Sequence, residues 1–97
     1  MTPVHPGRIL KRELAARGLS AAKLALALRV PAGRLTAILN EKRAITPETA
    51  LRLGRFFGNN TQFWMNLQAR YDLDSEKDRL GLRIEREIPR RSATASR

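Results

Sequence analysis

Residues 24–39, LALALRVPAGRLTAIL, contain two short apolar runs at helical spacing, separated by a break at Arg29-Val30-Pro31. The break constrains the fold because Pro31 disfavours helical backbone at the residue before it, while its missing N–H costs nothing at the start of a new helix. The pattern therefore predicts one helix that ends near Leu28 and another that begins at about residue 32. A three-residue connection between helices that cross at a steep angle is typical of a helix-turn-helix unit.

Helix start and stop signals recur along the rest of the chain. They are, in chain order, Pro6 and Gly18 around a first helix at 6–17, Ser20 before the second, Thr46-Pro47 and Gly58 around the fourth, and Asn60 before the fifth. The sequence SEKD at 75–78 resembles a capping box, which predicts that the fifth helix restarts there. No run alternates for long enough to indicate a paired strand. The predicted fold class is all-α with five helices.

The third predicted helix, about 32–39, has an unusual outward face. At 100° per residue, Leu35, Ile38 and Leu39 define its inward side. The outward face then consists of small and polar residues: Gly33, Ala37 and Asn40, with Arg34 and Thr36 on the flanks. A solvated helix face usually carries residues of higher helix propensity and charge. Small residues instead let a helix enter a DNA major groove, where alanine can contact a thymine methyl group.

The net charge of the chain points to a polyanionic partner. The 19 Lys and Arg residues outnumber the 9 Asp and Glu residues and give a formal charge of +10. Residues 1–70 hold 12 basic and three acidic residues, a charge of +9, so the positive field belongs to the helical part and not to a basic tail. Basic residues that merely keep the protein soluble are the simpler alternative, but nucleic acid is the partner that this balance favours.

Other classes of function find little support. The chain has no cysteine and one histidine, which excludes disulfides and predicts no metal site and no cofactor. No secretory signal or membrane-length apolar run is present, so the sequence predicts a cytoplasmic protein without a membrane partner. It contains no nucleophile motif, no paired catalytic carboxylates and no phosphate-binding loop, and we predict that it is not an enzyme.

Several motifs together resemble one family, the HigA-type antitoxins within the Xre/lambda-repressor-like helix-turn-helix class. The motifs are HPGRIL, LSAAKLALALRVPAGRLTAILNEKRAIT, ALRLGRFFG and FWMNLQARYDL, and the resemblance covers residues 4–73. It implies a small repressor that forms a homodimer, binds palindromic double-stranded operator DNA of its own operon and pairs with a HigB-like toxin, an RNA-cleaving protein of RelE-like fold. Asn40-Glu41 stands where this family usually has Asn-Gly, so a left-handed loop residue is either Asn40 or absent.

The predicted DNA-binding residues are Ser20, Lys23, Ala32, Gly33, Arg34, Thr36, Ala37, Asn40, Lys42 and Arg43. Arg34 is the first choice for a base contact, since arginine can bind guanine O6 and N7 together; a phosphate or solvent contact is the alternative. Thr36 lines the groove or bonds back to a helix carbonyl. Lys23, Lys42 and Arg43 are predicted to bind phosphates, with plain exposure as the alternative. His5 is assigned a structural role as a cap or packing residue.

The remaining segments suggest assembly surfaces. Four residues lie at helical spacing, which fits either core packing or a dimer interface, and we predict a dimer interface: Phe63, Trp64, Leu67 and Tyr71. The predicted organisation is a DNA-binding domain at 1–73, a helical or partner-binding extension at 74–89 and a disordered basic tail at 90–97. Residues 80–88, LGLRIEREI, donate a strand or helix to a partner or form a frayed end.

The predicted function is therefore that of a type II antitoxin that neutralises a HigB/RelE-like mRNA-cleaving toxin and represses its own operon. A stand-alone or phage-type repressor would use the same DNA chemistry without a toxin. A basic RNA-binding protein is a second rival, although the chain lacks exposed aromatic platforms for single-stranded RNA.

Overall fold

The computed structural model describes residues 2–58 and 60–91 as five helices: α1 (Pro6–Arg17), α2 (Ala21–Leu28), α3 (Ala32–Leu39), α4 (Pro47–Phe57) and α5 (Thr61–Glu87). Within these residues no strand is present. The predicted all-α, five-helix fold is confirmed. The predicted tail at 90–97 lies outside the described residues from 92 onward.

Local capping sets the helix boundaries. The side chains of His5, Ser20, Thr46 and Asn60 each accept a hydrogen bond from a backbone N–H in the first turn of the helix that follows. Gly18 and Gly58 take left-handed backbone after α1 and α4, with φ of 60° and 72°. These positions carry the start and stop signals that the sequence predicts.

One apolar core joins α1 to α4 and the first half of α5. It is formed by the buried leucines of the first four helices, and its other members are Ala25, Val30, Ile38, Ile45, Ala50 and Trp64, of which Trp64 has the largest side chain. Two glycines allow close helix contacts: a Cβ at Gly7 would overlap the Ile38 carbonyl of α3, and one at Gly54 would lie 2.7 Å from Thr61 Oγ1. The first contact fixes α3 against α1.

Helix α5 is one continuous helix of 27 residues, about 40 Å long at 1.5 Å per residue. The predicted restart at 75–78 is wrong. The four residues of SEKD all tolerate a helix interior, and ion pairs join Arg70 to Asp74 at 3.0 Å and Arg79 to Glu76 at 2.8 Å along the same helix. Beyond Asp74 the residues are exposed or half-exposed, which gives the molecule a longest dimension of 55 Å against 25 and 22 Å. The helix thus crosses the predicted boundary at 73/74 without a break.

Candidate nucleic-acid interface

Helix α3 presents the face that the sequence predicts. Leu35, Ile38 and Leu39 are buried at 0%, 1% and 8% exposure. On the opposite side Gly33 is exposed, and a Cβ built there would have no atom within 4 Å. Ala32, Thr36 and Asn40 are also exposed, whereas Ala37 and Arg34 are half-buried. We call this surface the α3 outer face; it is smooth because its centre lacks long side chains.

The turn before α3 holds the two helices of the motif at a fixed angle. The Arg29 and Val30 N–H groups bond back to the carbonyls of Leu26 and Ala25 at 3.2 and 3.1 Å. Arg29 reaches this geometry with a left-handed φ of 58°, which L-residues other than Asn and Asp adopt at a cost. Val30, in the same turn, is buried in the apolar core.

The loop after α3 places two cations beside the α3 outer face. Glu41, and not Asn40, is the left-handed residue, with φ of 63° against −88°, so the prediction for Asn40 is wrong. This conformation lets the Lys42 N–H donate to the Ala37 carbonyl at 2.8 Å and reverses the chain at the end of the helix. Lys42 and its neighbour Arg43 are exposed. Neither forms an ion pair with an acid of the described residues.

Gln68 of α5 holds this loop in place through a buried hydrogen bond. Its Oε1 accepts a hydrogen bond from the Ile45 N–H at 2.7 Å, and its Nε2 donates to Asp72 Oδ1 at 2.9 Å. Gln68 is 5% exposed, so both groups are bonded in a largely dry environment. The local sequence pattern does not predict this contact, because the two residues are 23 positions apart in the chain.

At the start of α2, the Ser20 side chain is hydrogen-bonded to the Lys23 backbone. Ser20 Oγ accepts the Lys23 N–H at 3.1 Å, so the serine side chain is the helix cap, and the Lys23 side chain is exposed. The first-turn N–H groups of a helix favour an anion such as a phosphate. The placement suits a phosphate contact beside the cap.

A chain of polar contacts joins α3 to α4 and α2. Arg34 Nη1 lies 3.5 Å from Glu48 Oε1, and Arg52 donates to Glu48 Oε2 from Nε at 3.2 Å and Nη2 at 3.0 Å. Arg52 Nη1 also donates to the Leu28 carbonyl at the end of α2, at 2.9 Å. Glu48 is not among the residues predicted for the site, and its negative charge close to a basic helix is the one sequence signal that points to it.

His5 is a buried structural residue, as predicted. Its Nδ1 accepts the Gly7 N–H at 2.9 Å, and its ring packs edge-on against Tyr71 with centroids 4.8 Å apart. Burial lowers the pKa of His5 from its ordinary 6.5, and the charge of Arg8 acts in the same direction. The negative charges of Glu41 and Asp72 and a hydrogen bond with the Arg43 backbone oppose the shift without cancelling it. The neutral ring therefore caps α1.

The residues predicted for a dimer interface fall into different environments. Trp64 is 0% exposed and belongs to the monomer core, so its assignment to the interface is wrong. The alternative of core packing holds for this residue, because Phe57 and Phe63 lie against its ring. Phe63 itself is 42% exposed, while Leu67 and Tyr71 are half-buried. A surface for a second chain remains a prediction for these three residues.

The described residues offer neither a metal site nor a membrane-spanning helix. Among residues 2–58 and 60–91, no three His, Asp or Glu side chains are grouped so that they could hold a metal ion. Within the same residues, none of the helices has the length and apolar character needed to cross a membrane. The α3 outer face with its flanking cations is the candidate nucleic-acid interface.

Known proteins match this architecture closely. A family model described as Helix-turn-helix matches residues 10–64. Virulence-associated protein I of Dichelobacter nodosus is 48% identical over 86 residues, which are 87% of this chain and 80% of that protein. An addiction module antidote protein of the HigA family from Coxiella burnetii superimposes with a TM-score of 0.90 at 47% identity and covers 94% of this chain and 100% of its own.

A structure of Pseudomonas aeruginosa antitoxin HigA with the higBA promoter gives a TM-score of 0.86 at 46% identity, covering 89% of this chain and 95% of its own. The likeness extends beyond the two helices of the motif into α5, which a bare helix-turn-helix unit would not require. It also excludes an enzymatic role, since the proteins of this family are DNA-binding antitoxins and repressors. The chain belongs to the helix-turn-helix family and, within it, to the HigA-type antitoxins of the Xre/lambda-repressor-like class.

Proposed function

We propose that this protein is the antitoxin of a type II toxin–antitoxin module, which represses its own operon and neutralises a HigB/RelE-like mRNA-cleaving toxin in the cytoplasm. The observation that carries the DNA-binding part is the α3 outer face, where open space surrounds Gly33 and exposed cations stand beside it. The likeness to a HigA solved with the higBA promoter supports the same assignment.

In this proposal α3 lies in the major groove of operator DNA. Gly33 and Ala37 face the floor of the groove, Ala32, Thr36 and Asn40 line its walls, and Arg34 reads a base edge. Lys42 and Arg43 at one end of α3, and Ser20 and Lys23 at the start of α2, bind phosphates and set the register. Sequence preference then comes from α3, while most of the affinity comes from the cations.

The operator-bound form is a homodimer. Two copies of α3 would enter successive major grooves of a palindrome, about 34–36 Å apart along the DNA. Phe63, Leu67 and Tyr71 of α5 are the residues that we propose at the dimer surface.

Neutralisation of the toxin is assigned to the end of α5. Leu82, Ile84 and Ile88 are exposed there at 70%, 46% and 67%, more apolar surface than a solvated helix end needs. We propose that residues 80–88 bind the toxin.

Two assays test the proposal. In the first, fluorescence anisotropy compares the DNA upstream of the operon with a scrambled duplex and an RNA of equal length. Tight binding to the upstream duplex alone is expected, and equal binding of DNA and RNA would contradict the repressor assignment. In the second, the toxin gene of the same operon is co-expressed with the gene for the full chain or for a chain that lacks residues 80–97. Loss of protection only on deletion is expected, whereas unchanged protection excludes this segment and no protection by either leaves a stand-alone repressor.

A further inference from the structure

Among residues 2–58 and 60–91, Glu48 is the one acidic residue that forms an ion pair with the side chain of the proposed base-reading arginine. It lies in the first turn of α4, and its Oε1 is 3.5 Å from Arg34 Nη1 on α3. An acid beside a DNA-binding helix opposes phosphate binding, because a carboxylate repels the DNA backbone. Its position therefore serves some purpose other than affinity.

The position of Glu48 is fixed from the opposite side. Arg52 holds Glu48 Oε2 with Nε and Nη2 at 3.2 and 3.0 Å, while its own Nη1 is bonded to the Leu28 carbonyl at 2.9 Å. Three donors of one planar guanidinium are thus directed at two acceptors on different helices. Because Arg52 is tied to both α2 and α4, the carboxylate that faces Arg34 has a set place relative to the helix-turn-helix unit.

Arg34 is the more buried member of its pair with Glu48. Its side chain is 24% exposed against 56% for Glu48, so it lies along the boundary between α3 and α4 and does not extend freely into solvent. The contact with Glu48 uses one terminal nitrogen, and recognition of guanine O6 and N7 needs two donors of the fork, which its remaining N–H groups can supply. A long arginine without such a contact would sample many rotamers and would reach phosphates as readily as bases.

We propose that Glu48 is a specificity-determining positioning residue, which orients the Arg34 guanidinium toward a base edge and keeps it from phosphates. The inference rests on the proposed operator binding. It predicts an exchange of effects: removing the charge of Glu48 raises affinity for any duplex and lowers the preference for the correct base. A residue with a merely structural role would not change these two quantities in opposite directions.

The test is selection from a duplex library with a randomised central window, followed by titration of the enriched duplex and its single-base variants. Wild-type protein should enrich one palindromic site, and Arg34→Ala should abolish the preference at one base pair of each half-site. Glu48→Gln should reduce the preference at that same pair by about three- to tenfold and tighten binding to scrambled duplex by about twofold. In the Arg34→Ala background, Glu48→Gln should cause no further loss of preference.

Two further variants complete the design. Glu13→Gln removes the same charge from α1, where Glu13 pairs with Arg17 at 3.1 Å, and should leave the base preference intact. Glu48→Asp keeps the negative charge on a shorter side chain and should reduce the base preference without raising the affinity. It replaces Glu48→Gln as the test if the glutamine variant folds poorly, as judged by circular dichroism. Full preference in both Glu48 variants, or no base preference lost in Arg34→Ala, overturns the inference while the wild-type site still supports operator binding. Failure of the wild-type protein to enrich any site would instead contradict the proposed function.

Discussion

At the scale of single residues, two non-glycine residues of the described chain adopt left-handed backbone, and both border α3. Arg29 precedes the helix with φ of 58°, and Glu41 follows it with φ of 63°. Left-handed backbone costs an ordinary L-residue about 1–2 kcal/mol, while glycine adopts it without steric penalty. The sequence predicts a chain reversal at both turns, but it does not identify Arg29 or Glu41 as the residue with left-handed backbone.

Arg29→Gly should stabilise the protein. Relief of the left-handed strain exceeds the extra entropy that glycine gains in the unfolded chain, for a net gain of up to about 1 kcal/mol in the free energy of unfolding. Urea denaturation measures the change. A lower free energy of unfolding would show that the Arg29 side chain makes contacts worth more than the strain.

His5 should make stability depend on pH. Its lowered pKa means that the unfolded chain takes up a proton at higher pH than the native protein does. Stability from the neutral ring is therefore fully present above about pH 6.5 and falls as pH decreases toward the lowered pKa, by at most about 1.4 kcal/mol per pH unit. Urea denaturation between pH 8 and 5 should show this slope in wild type and a shallower one in His5→Asn, which retains a capping side chain. Equal slopes would rule out His5 as the cause.

At the scale of helices and loops, the sequence predicts whatever is decided by near neighbours. Caps such as Ser20 and Asn60 lie within three residues of the N–H groups that they bond, so the sequence alone predicts their positions. The inward side of α3 follows from helical periodicity alone. Contacts between segments that are distant in the chain cannot be predicted from the local sequence. The Gln68–Ile45 bond, the Arg52–Leu28 bond and the complete burial of Trp64 depend on how the helices pack.

The restart predicted at 75–78 failed for a related reason. A capping-box sequence stabilises a helix start only where a chain has left helical backbone, and inside a helix the same residues form ordinary surface pairs. Arg70 with Asp74 and Arg79 with Glu76 are such pairs. Local pattern alone does not distinguish these two uses.

Gln68→Leu should destabilise the protein by about 1–3 kcal/mol, because the Ile45 N–H loses its acceptor inside a largely dry site. Thermal and urea unfolding measure the loss. Gln62→Leu is the matched control on the same helix: Gln62 makes an exposed amide contact with Asn66 at 3.0 Å, and its loss should cost less than about 0.5 kcal/mol. Similar losses in the two variants would mean that the loop does not depend on Gln68.

At the scale of the whole molecule, charge and shape divide the chain in the same way. The excess of +9 lies in residues 1–70, whereas the part of α5 beyond the core is nearly balanced by its own ion pairs. A basic body with a projecting helix suits a protein that binds DNA with one part and a second protein with another. The distribution of charge along the chain, more than any single residue, supports this division of roles.

Operator affinity should fall steeply with salt. If each copy contacts about four to six phosphates, the slope of log K against log salt should be about −0.9 for each phosphate neutralised. Lys42→Ala should make the slope shallower by about 0.9 per bound copy, while Lys77→Ala on α5 should leave it unchanged. Anisotropy titrations between 50 and 200 mM salt provide the slopes, and a flat dependence would contradict the role given to the cations.

The central claim is that the α3 outer face lies against the floor of the major groove, and Gly33→Leu tests it most directly. A Cβ at position 33 would have no protein atom within 4 Å, so we expect the free energy of unfolding of Gly33→Leu to be unchanged or up to about 1 kcal/mol higher. The added side chain should hold α3 away from the bases. The matched control is Gly81→Leu, since Gly81 lies in α5 and is equally unobstructed. Operator affinity measured by anisotropy should fall by at least about tenfold in Gly33→Leu and stay unchanged in Gly81→Leu; wild-type affinity in a folded Gly33→Leu protein would contradict the account.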